Sequence, residues 1–332
     1  MGIAIIGAGL TGACLANSLK NNHTVEVFEK SRGPGGRMST RRTDDWKVDH
    51  GAQFFTIRDS QFETIAEPMI RTGVIRPWKP RLAIFNNSNW ILDEWKEEHY
   101  VASPSMNSAC NYLLENIEVH YQTEILEISG NPMKWELRTN ENYFGFFDLV
   151  ISTLPAPQAT KLLPSVCQFI KDISVVQMEP CIAFFAKLKE HLDLGWDAAI
   201  VKNSPVHWMA MNHSKPGRNQ LTPTFVMHLQ PQFSAENYQL DLNSWCIETM
   251  ASLCQIHPSQ VEELYCHKWR YARASIRASK LSFYDRNMGI AAAGDWGPGE
   301  RVEGAIISAL DLVKDISKSS SDLYFDSANS LA

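Results

Sequence analysis

The chain has 332 residues, 44% hydrophobic and 20% charged, with a net charge of −6. That length holds one large or two interleaved domains with a sizeable core, and the acidic balance argues against a nucleic-acid partner, which needs a basic surface. No apolar run approaches the roughly 18 residues of a membrane helix, and no basic leader with a small-residue cleavage site opens the chain, so a cytoplasmic protein with no membrane partner is expected.

Residues Gly2–Ile6 read as a buried parallel strand, Leu10–Lys20 as a helix and Thr24–Phe28 as a second strand. This is the opening strand–helix–strand unit of a doubly wound sheet. A loop rich in glycine and arginine follows, SRGPGGRMSTRR, and residues 55–115 mix helices with loops. VHYQTEILEI, KWELRT and FGFFDLVIST alternate like antiparallel strands returning to the nucleotide-binding unit. Beyond residue 160, FFAKLKEH, PTFVMHL and YCHKWRYA alternate like strands, and LNSWCIETMASLCQI has helical spacing. MGIAAAGD reads as another short buried strand. GDWGPGERVEGA then turns into a last helix, with Ile306, Leu310 and Val313 as its apolar face and Ile307 and Ala309 nearby. The serine-rich residues 317–332 read as a flexible tail. The seven cysteines are irregularly spaced without a CxxC, which suits free thiols in a reducing compartment. No His/Cys cluster has metal-ligand spacing, so no metal is expected.

Gly7, Gly9 and Gly12 form GxGxxG between the first strand and the first helix. The first glycine permits the turn, the second lets backbone approach a pyrophosphate, and the third lets helix and strand pack closely. Glu29, at the end of the second strand, is placed to accept hydrogen bonds from ribose hydroxyls. Gly35, Gly36 and Arg37 follow, with Ser39 and Thr40 beyond. A second glycine loop there suits a longer dinucleotide, and Arg37 is placed to neutralise its phosphates.

These residues resemble the glutathione-reductase-type flavoproteins, in the branch that includes the amine oxidases, and within it the renalases, the bacterial ones most closely. The motifs are IGAGLTG at 6–12, EKSRGPGGRMSTRR at 29–42, DHGAQFFTIRD at 49–59, TLPAPQA at 153–159, NHSKPGR at 212–218, HKWRYAR at 267–273 and GDWGPGERVEGA at 294–305. One departure is Gly33, where the family's usual arginine is displaced to Arg32. The resemblance implies an α/β fold: a Rossmann-like FAD-binding domain interleaved with an α+β substrate domain containing a mixed antiparallel sheet. The expected division is 1–58, 112–158 and 284–316 for FAD, and 59–111 and 159–283 for substrate. It implies non-covalent FAD, with the pyrophosphate at Gly7, Gly9, Thr11 and Gly12, and the ribose at Glu29 beside Lys30. Gly36, Arg37 and Met38 would line the channel, and Gln53 and Phe54 would lie near the isoalloxazine. Ile125, in the strand TEILEI, would meet the adenine, and Asp295 the ribitol–pyrophosphate region. The last helix would present Val302, Glu303 and Ala305 to the flavin, its dipole favouring negative charge there, with Gly304 permitting close approach. Glu303 is also simply a favourable acid in a first helical turn.

The resemblance implies an oxidase of isomeric dihydro-NAD(P), with hydride at ring position 2 or 6, giving NAD(P)⁺ and, from oxygen, hydrogen peroxide. A donor that becomes aromatic on losing hydride needs no general base, and no residue must serve as one. Amine-oxidase relatives commonly carry a tyrosine where this chain has Arg301. A cation there suits a substrate with phosphates, although Arg301 pairing with Glu303 or Asp295 is an equal alternative. Trp208, His207, Trp269, Tyr271 and Trp296 are candidates for an aromatic substrate wall. Lys215, Arg218, Arg270 and Arg273 are candidates for substrate phosphates. Two rivals stay open: an amine oxidase of the same fold, and a non-catalytic flavin-binding redox sensor.

Overall fold

The strand Gly2–Ile6 lies near the middle of a six-stranded sheet, with neighbours on both sides. The computed structural model describes residues 1–87, 89–299 and 301–329, the last eleven of these by backbone alone. The sheet order is Ser282–Asp285, Ile290–Ala293, Leu149–Ser152, Gly2–Ile6, Thr24–Phe28 and Glu118–His120. All neighbours are parallel except the first pair. The chain leaves Gly2–Ile6 in one direction through the helix Leu10–Leu19, and the sheet continues in the other direction with later strands. Such a reversal opens a crevice at the carboxyl ends of the strands.

Both faces of this sheet are covered, which is why its strands are near-continuous apolar runs. Ile3 and Ile5 face the helix Leu10–Leu19 and the last helix, Arg301–Asn329. Ala4, Ile6 and Phe28 face a three-stranded antiparallel sheet, Glu127–Asn131, Lys134–Arg138 and Tyr143–Phe147.

A seven-stranded mixed sheet stands beside it, in the order Val261–Ile276, Gln177–Leu188, Thr224–Leu229, Val206–Met211, Ala198–Val201, Leu82–Asn86 and Asn89–Asp93. Only Ala198–Val201 and Leu82–Asn86 run parallel. Its alternation sends Phe185, Trp208, Ala210 and Val226 into the core shared with the nucleotide-type helices. Phe184, Met209, Phe225 and Met227 point the other way, under the helix Asn243–Cys254.

Three expectations change. VHYQTEILEI is two strands, Glu118–His120 and Glu127–Asn131, on different sheets, with Ile125 in the irregular segment between them. FGFFDLVIST likewise splits at Asp148, whose carboxylate accepts from Gly2 N at 2.7 Å and whose N–H donates to Gly2 O at 2.9 Å. On the last helix the buried line is Val302, Ala305, Ile306, Ala309, Leu312 and Ile316, while Leu310 and Val313 are only half-buried. The expected tail at 317–332 lies, from Ser319 on, outside the residues with described side chains. No described helix is long and apolar enough to cross a membrane.

Candidate functional site

Gly7 takes φ +108°, and a Cβ on Gly12 would lie 2.0 Å from Gly7 O, so the first turn closes only with glycine at both positions. Gly9 is different: a Cβ there meets nothing within 4 Å. No side chain caps the helix that starts after Gly9. Its first-turn N–H groups therefore face the space above the loop, the arrangement that binds phosphates. The second glycine loop closes on the first: Gly35 N donates to Ala8 O at 2.9 Å, and Gly9 and Gly35 form a parallel bridge. Glu29 is buried and accepts from Ala8 N at 2.9 Å and Ser31 N at 2.8 Å, one bond to each oxygen, which leaves each oxygen accepting capacity. Lys30 is exposed, 3.9 Å from Glu124.

The two ends of the chain meet here. Thr11 Oγ1 donates to Ala305 O at 3.1 Å, joining the starts of the first and last helices. Arg37 grips Asp295 at two points, 2.6 and 2.8 Å, and donates to Ala272 O at 3.2 Å. Met38 is buried beneath the loop. Glu303 accepts from the N–H groups of Arg58 and Asp59 at 2.7 and 2.8 Å, fastening the last helix to the start of the helix Ser60–Arg71. Both carboxylates that were alternatives for Arg301 are thus held by other arginines. Arg301 is exposed, adopts φ +66°, and forms no ion pair among the described residues. Its charge acts on Glu97 and His207.

Gly304 is also required by the fold: its missing Cβ would meet Gly299 C at 2.4 Å, so the turn itself needs the glycine. Trp296 is a correction. It is 0% exposed, stacks on Phe283 and donates from Nε1 to Leu154 O at 3.1 Å, so it is core and no part of a substrate wall. Ile125 is buried against Phe28 and Trp135, in irregular backbone where a strand was expected.

Lys215 and Arg218 are not surface cations. Both converge on Asp49, itself 0% exposed: Arg218 binds Oδ2 at 2.6 and 3.0 Å, and Lys215 Nζ lies 3.4 Å away. Lys215 also donates to Gln53 Oε1 at 2.9 Å, and Gln53 Nε2 donates to Asp49 O and Gly51 O. The Gln53 amide is therefore turned into this buried network. Burial alone would raise the Asp49 carboxyl, but Lys215 and Arg218 outweigh it and hold the group at about 2. Burial pulls Lys215 down to about 8 against the attraction of Asp49. Sequence reasoning missed Asp49, although it opens the DHGAQFFT motif.

Next to this network lie two groups of rings. Phe54 packs against Trp78, Trp95, His99 and Trp208 with centroids 4.8–6.3 Å away. His50 stacks on Trp269 at 5.1 Å and meets His267 edge-on at 4.9 Å. Trp269 Nε1 donates to His50 O at 3.1 Å. Burial, then the neighbouring His267 and His228, push His50 down to about 3, and burial pushes His228 to about 4. These imidazoles are uncharged at neutral pH. His207 is exposed on the strand Val206–Met211 and is lowered by desolvation, then by Arg273 and Arg301. Tyr271 is half-buried; Arg270 and Arg273 are exposed, the latter 2.8 Å from Glu179. The indole N–H groups of Trp78 and Trp208 and Nδ1 of His50 are buried without a hydrogen bond. Trp78, Trp95 and His99 carried no signal beyond a tryptophan-rich stretch.

The donor set fits an FAD. The open space at Gly9, the uncapped helix start and the remaining capacity of Glu29 suit its adenosine diphosphate half. Arg37 and Asp295, paired with each other, would supply a cation and a hydroxyl acceptor further along. Among the described residues one trio, Glu26, Glu118 and His120, has metal-ligand reach, and it lies on paired strands at the sheet edge.

Residues 5–66 match the family described as the NAD(P)-binding Rossmann-like domain. The chain is similar to renalase of Mus musculus, 22% identical over 341 residues, covering 94% of this chain and 97% of that protein. Among solved structures it is similar to an oxidoreductase from Methanosarcina mazei, with TM-score 0.72, 13% identity and coverage of 95% of this chain and 100% of that one. Putrescine oxidase bound to putrescine gives TM-score 0.72 and 11% identity, covering 96% and 99%. Cyclohexylamine oxidase from Brevibacterium oxydans gives 0.71 and 9%, covering 96% and 99%. The renalase resemblance read from the motifs thus runs the length of the chain, and the α/β fold with its Rossmann-like sheet is the one expected.

Proposed function

We propose that this chain, a renalase-like oxidoreductase of flavoprotein build, is an FAD-dependent oxidase of isomeric dihydro-NAD(P), the 2- or 6-dihydro forms. Its products would be NAD(P)⁺ and, from oxygen, hydrogen peroxide. We assign residues 1–58, 112–158 and 284–316 to holding FAD without a covalent bond, and 59–111 and 159–283 to the substrate.

The observation that carries the reading is Arg301. Its former candidate partners Asp295 and Glu303 are bound to Arg37 and Arg58. It holds a left-handed backbone conformation that costs a non-glycine residue about 1 kcal/mol. A cation kept there at that cost, beside Arg273 and His207, suits phosphates and repels a protonated amine.

Bound flavin supplies a hydride acceptor and, once reduced, an electron donor to oxygen. The chain's part is to hold and orient. Trp269 and Trp208 offer flat apolar faces to a nicotinamide ring. The unpaired Trp208 N–H is a donor for its carboxamide oxygen. The uncharged His50 and His228 add no positive charge where the ring becomes cationic. No group has to take a proton, because ring aromatisation replaces that step.

The test is anaerobic titration of the FAD-loaded protein with base-isomerised NAD(P)H. Bleaching of the flavin at low micromolar isomer, with silence toward an amine panel, is the expected result. Bleaching by amines with a rise at alkaline pH would replace this reading with an amine oxidase. No reduction by either would leave a redox sensor.

A further inference from the structure

The edge strand Glu118–His120 carries Glu118 and His120 two positions apart, so both side chains stand on one face of the sheet. Its neighbour Thr24–Phe28 runs parallel to it, with Glu26 in register with Glu118 and Phe28 in register with His120. Three ligand-bearing side chains therefore meet on this edge. No spacing in the sequence announces them, because Glu26 comes from a strand 94 residues before His120.

His120 Nε2 lies 2.8 Å from Glu26 Oε2 and 3.7 Å from Glu118 Oε1, and the three ligand atoms all fall within 4.8 Å of one another. Zinc bonds to imidazole nitrogen and carboxylate oxygen are about 2.0–2.2 Å long, which sets neighbouring ligands of a tetrahedral ion about 3.4 Å apart. The separations here straddle that value, so turns about the glutamate side-chain bonds close the trio on an ion. The imidazole is already aimed. It stacks on Phe28 at 4.7 Å and 15° and leans on Phe144 at 5.0 Å, which fixes the ring plane. Glu29 N donates to His120 O at 2.9 Å, which fixes the backbone beneath it. The His120 and Glu26 side chains are 23% and 26% exposed and Glu118 67%, so an ion can enter from solvent past Glu118.

The charges point to a cation independently. Glu26 and Glu118 are like charges in register on adjacent strands, whose backbones lie about 4.8 Å apart, and they repel. Of the described ion pairs, theirs are with His120 alone. One ring nitrogen can offer a single proton to two carboxylates. A divalent cation in its place answers both carboxylates and takes the nitrogen lone pair as well.

We propose that Glu26, Glu118 and His120 form a binding site for a divalent first-row transition ion of the zinc class. One imidazole nitrogen with two carboxylate oxygens suits such ions better than magnesium or calcium, which take oxygen ligands. Three protein ligands leave a fourth position for water. The ion would clasp the last strand of the six-stranded sheet to the strand that leads into Glu29, so its role is to hold that edge in place.

The experiment uses the full chain with FAD bound, stripped of metal with a chelator and dialysed against zinc in a non-coordinating buffer at neutral pH. One ion per chain with micromolar or tighter Kd is expected, undisturbed by millimolar magnesium, and saturation should raise the melting temperature by a few degrees. Glu118→Gln, at an exposed position, should melt as the metal-free wild type does and bind zinc roughly 10-fold more weakly or worse. Glu26→Gln keeps a hydrogen-bond partner for His120 and should weaken zinc in the same way. The proposal is overturned if no ion binds at micromolar concentration or if magnesium displaces it. It is equally overturned if Glu118→Gln and Glu26→Gln bind zinc as the wild type does, which would mean an adventitious ion only. Metal content and melting are read without turnover, so their failure leaves the oxidase reading untouched, and failure of the isomer titration leaves this site untouched.

Discussion

Arg37 and Asp295 stand 258 residues apart and meet in a two-point ion pair, at 2.6 and 2.8 Å. The same guanidinium reaches the carbonyl of Ala272 on the strand that carries Trp269. One side chain therefore joins the second glycine loop, the end of the last sheet strand and the substrate-side sheet. Asp295→Ala removes the carboxylate that aims Arg37. Losing a charge-assisted contact of this kind costs about 1.5–3 kcal/mol, so FAD affinity should fall roughly 10- to 100-fold. Flavin fluorescence released on dilution measures it. Arg37→Lys should behave similarly, because an ammonium cannot make the two-point contact. Retention of FAD by both variants at wild-type strength would sink the assignment.

Gly9 and Gly12 separate cofactor binding from folding. An alanine at Gly12 would place Cβ 2.0 Å from Gly7 O, so the helix has to move off the strand. Gly12→Ala should lower the melting temperature and abolish FAD binding together. An alanine at Gly9 meets no protein atom within 4 Å. Gly9→Ala should leave the apoprotein as stable as the wild type and fill only the space assigned to the pyrophosphate. Weak FAD binding with an unchanged apoprotein melting curve is the expected result. If Gly9→Ala binds FAD normally, the pyrophosphate lies elsewhere.

Asp49 is the keystone of the buried ions. Asp49→Asn leaves Lys215 and Arg218 buried without a counter-charge and should cost about 3–5 kcal/mol. Lys215→Met leaves the closer Arg218–Asp49 contact, at 2.6 Å, intact and should cost less. The pH dependence has a definite sign. Asp49 is held below its ordinary value of 3.8, at about 2. Its ionisation contributes about 2 kcal/mol, present above pH 3.8 and lost as pH falls through 2. Lys215 is lowered from 10.5 to about 8. The unfolded chain holds that proton more tightly, so the cost of burying it shrinks as pH rises from 8 to 10.5. Denaturant midpoints should therefore show the gap between wild type and Asp49→Asn closing in acid. A constant gap down to pH 2 would contradict the network.

What could be read from the sequence was local. The Gly7–Gly12 turn and its strand–helix context depend on neighbours a few residues away, so spacing sufficed. Arg37 and Asp295 were each legible as motif residues, but their pairing was not, because nothing in either motif points to the other. Lys215 and Arg218 read as candidates for substrate phosphates for the same reason: Asp49, which holds both, is more than 160 residues away. Trp296 and Gly304 sit inside a recognised motif, where the motif obscured their structural work for Phe283 and Gly299. On the last helix, a periodicity centred on Leu310 and Val313 missed the burial of small residues. Ala305 and Ala309 pack inward because Thr11 and the first helix come close, and small residues carry little weight in a hydrophobic pattern.

Arg301 carries the last prediction, because its backbone allows its side chain to be tested alone. At φ +66° a glycine is cheaper than an arginine by about 1 kcal/mol, and no described ion pair is lost on removing it. Arg301→Gly should therefore melt no lower than the wild type and bind FAD equally well. If the guanidinium meets substrate phosphates, KM for the dihydronicotinamide isomers should rise roughly 10-fold or more, the worth of one charge-assisted contact. The rise should shrink with added salt, as an exposed charge interaction does. Arg301→Tyr adds a ring where amine oxidases tend to place one and should lose isomer affinity in the same way. Unchanged kinetics in both variants would remove the phosphate role of Arg301, and with it the reason for preferring a nicotinamide nucleotide over an amine.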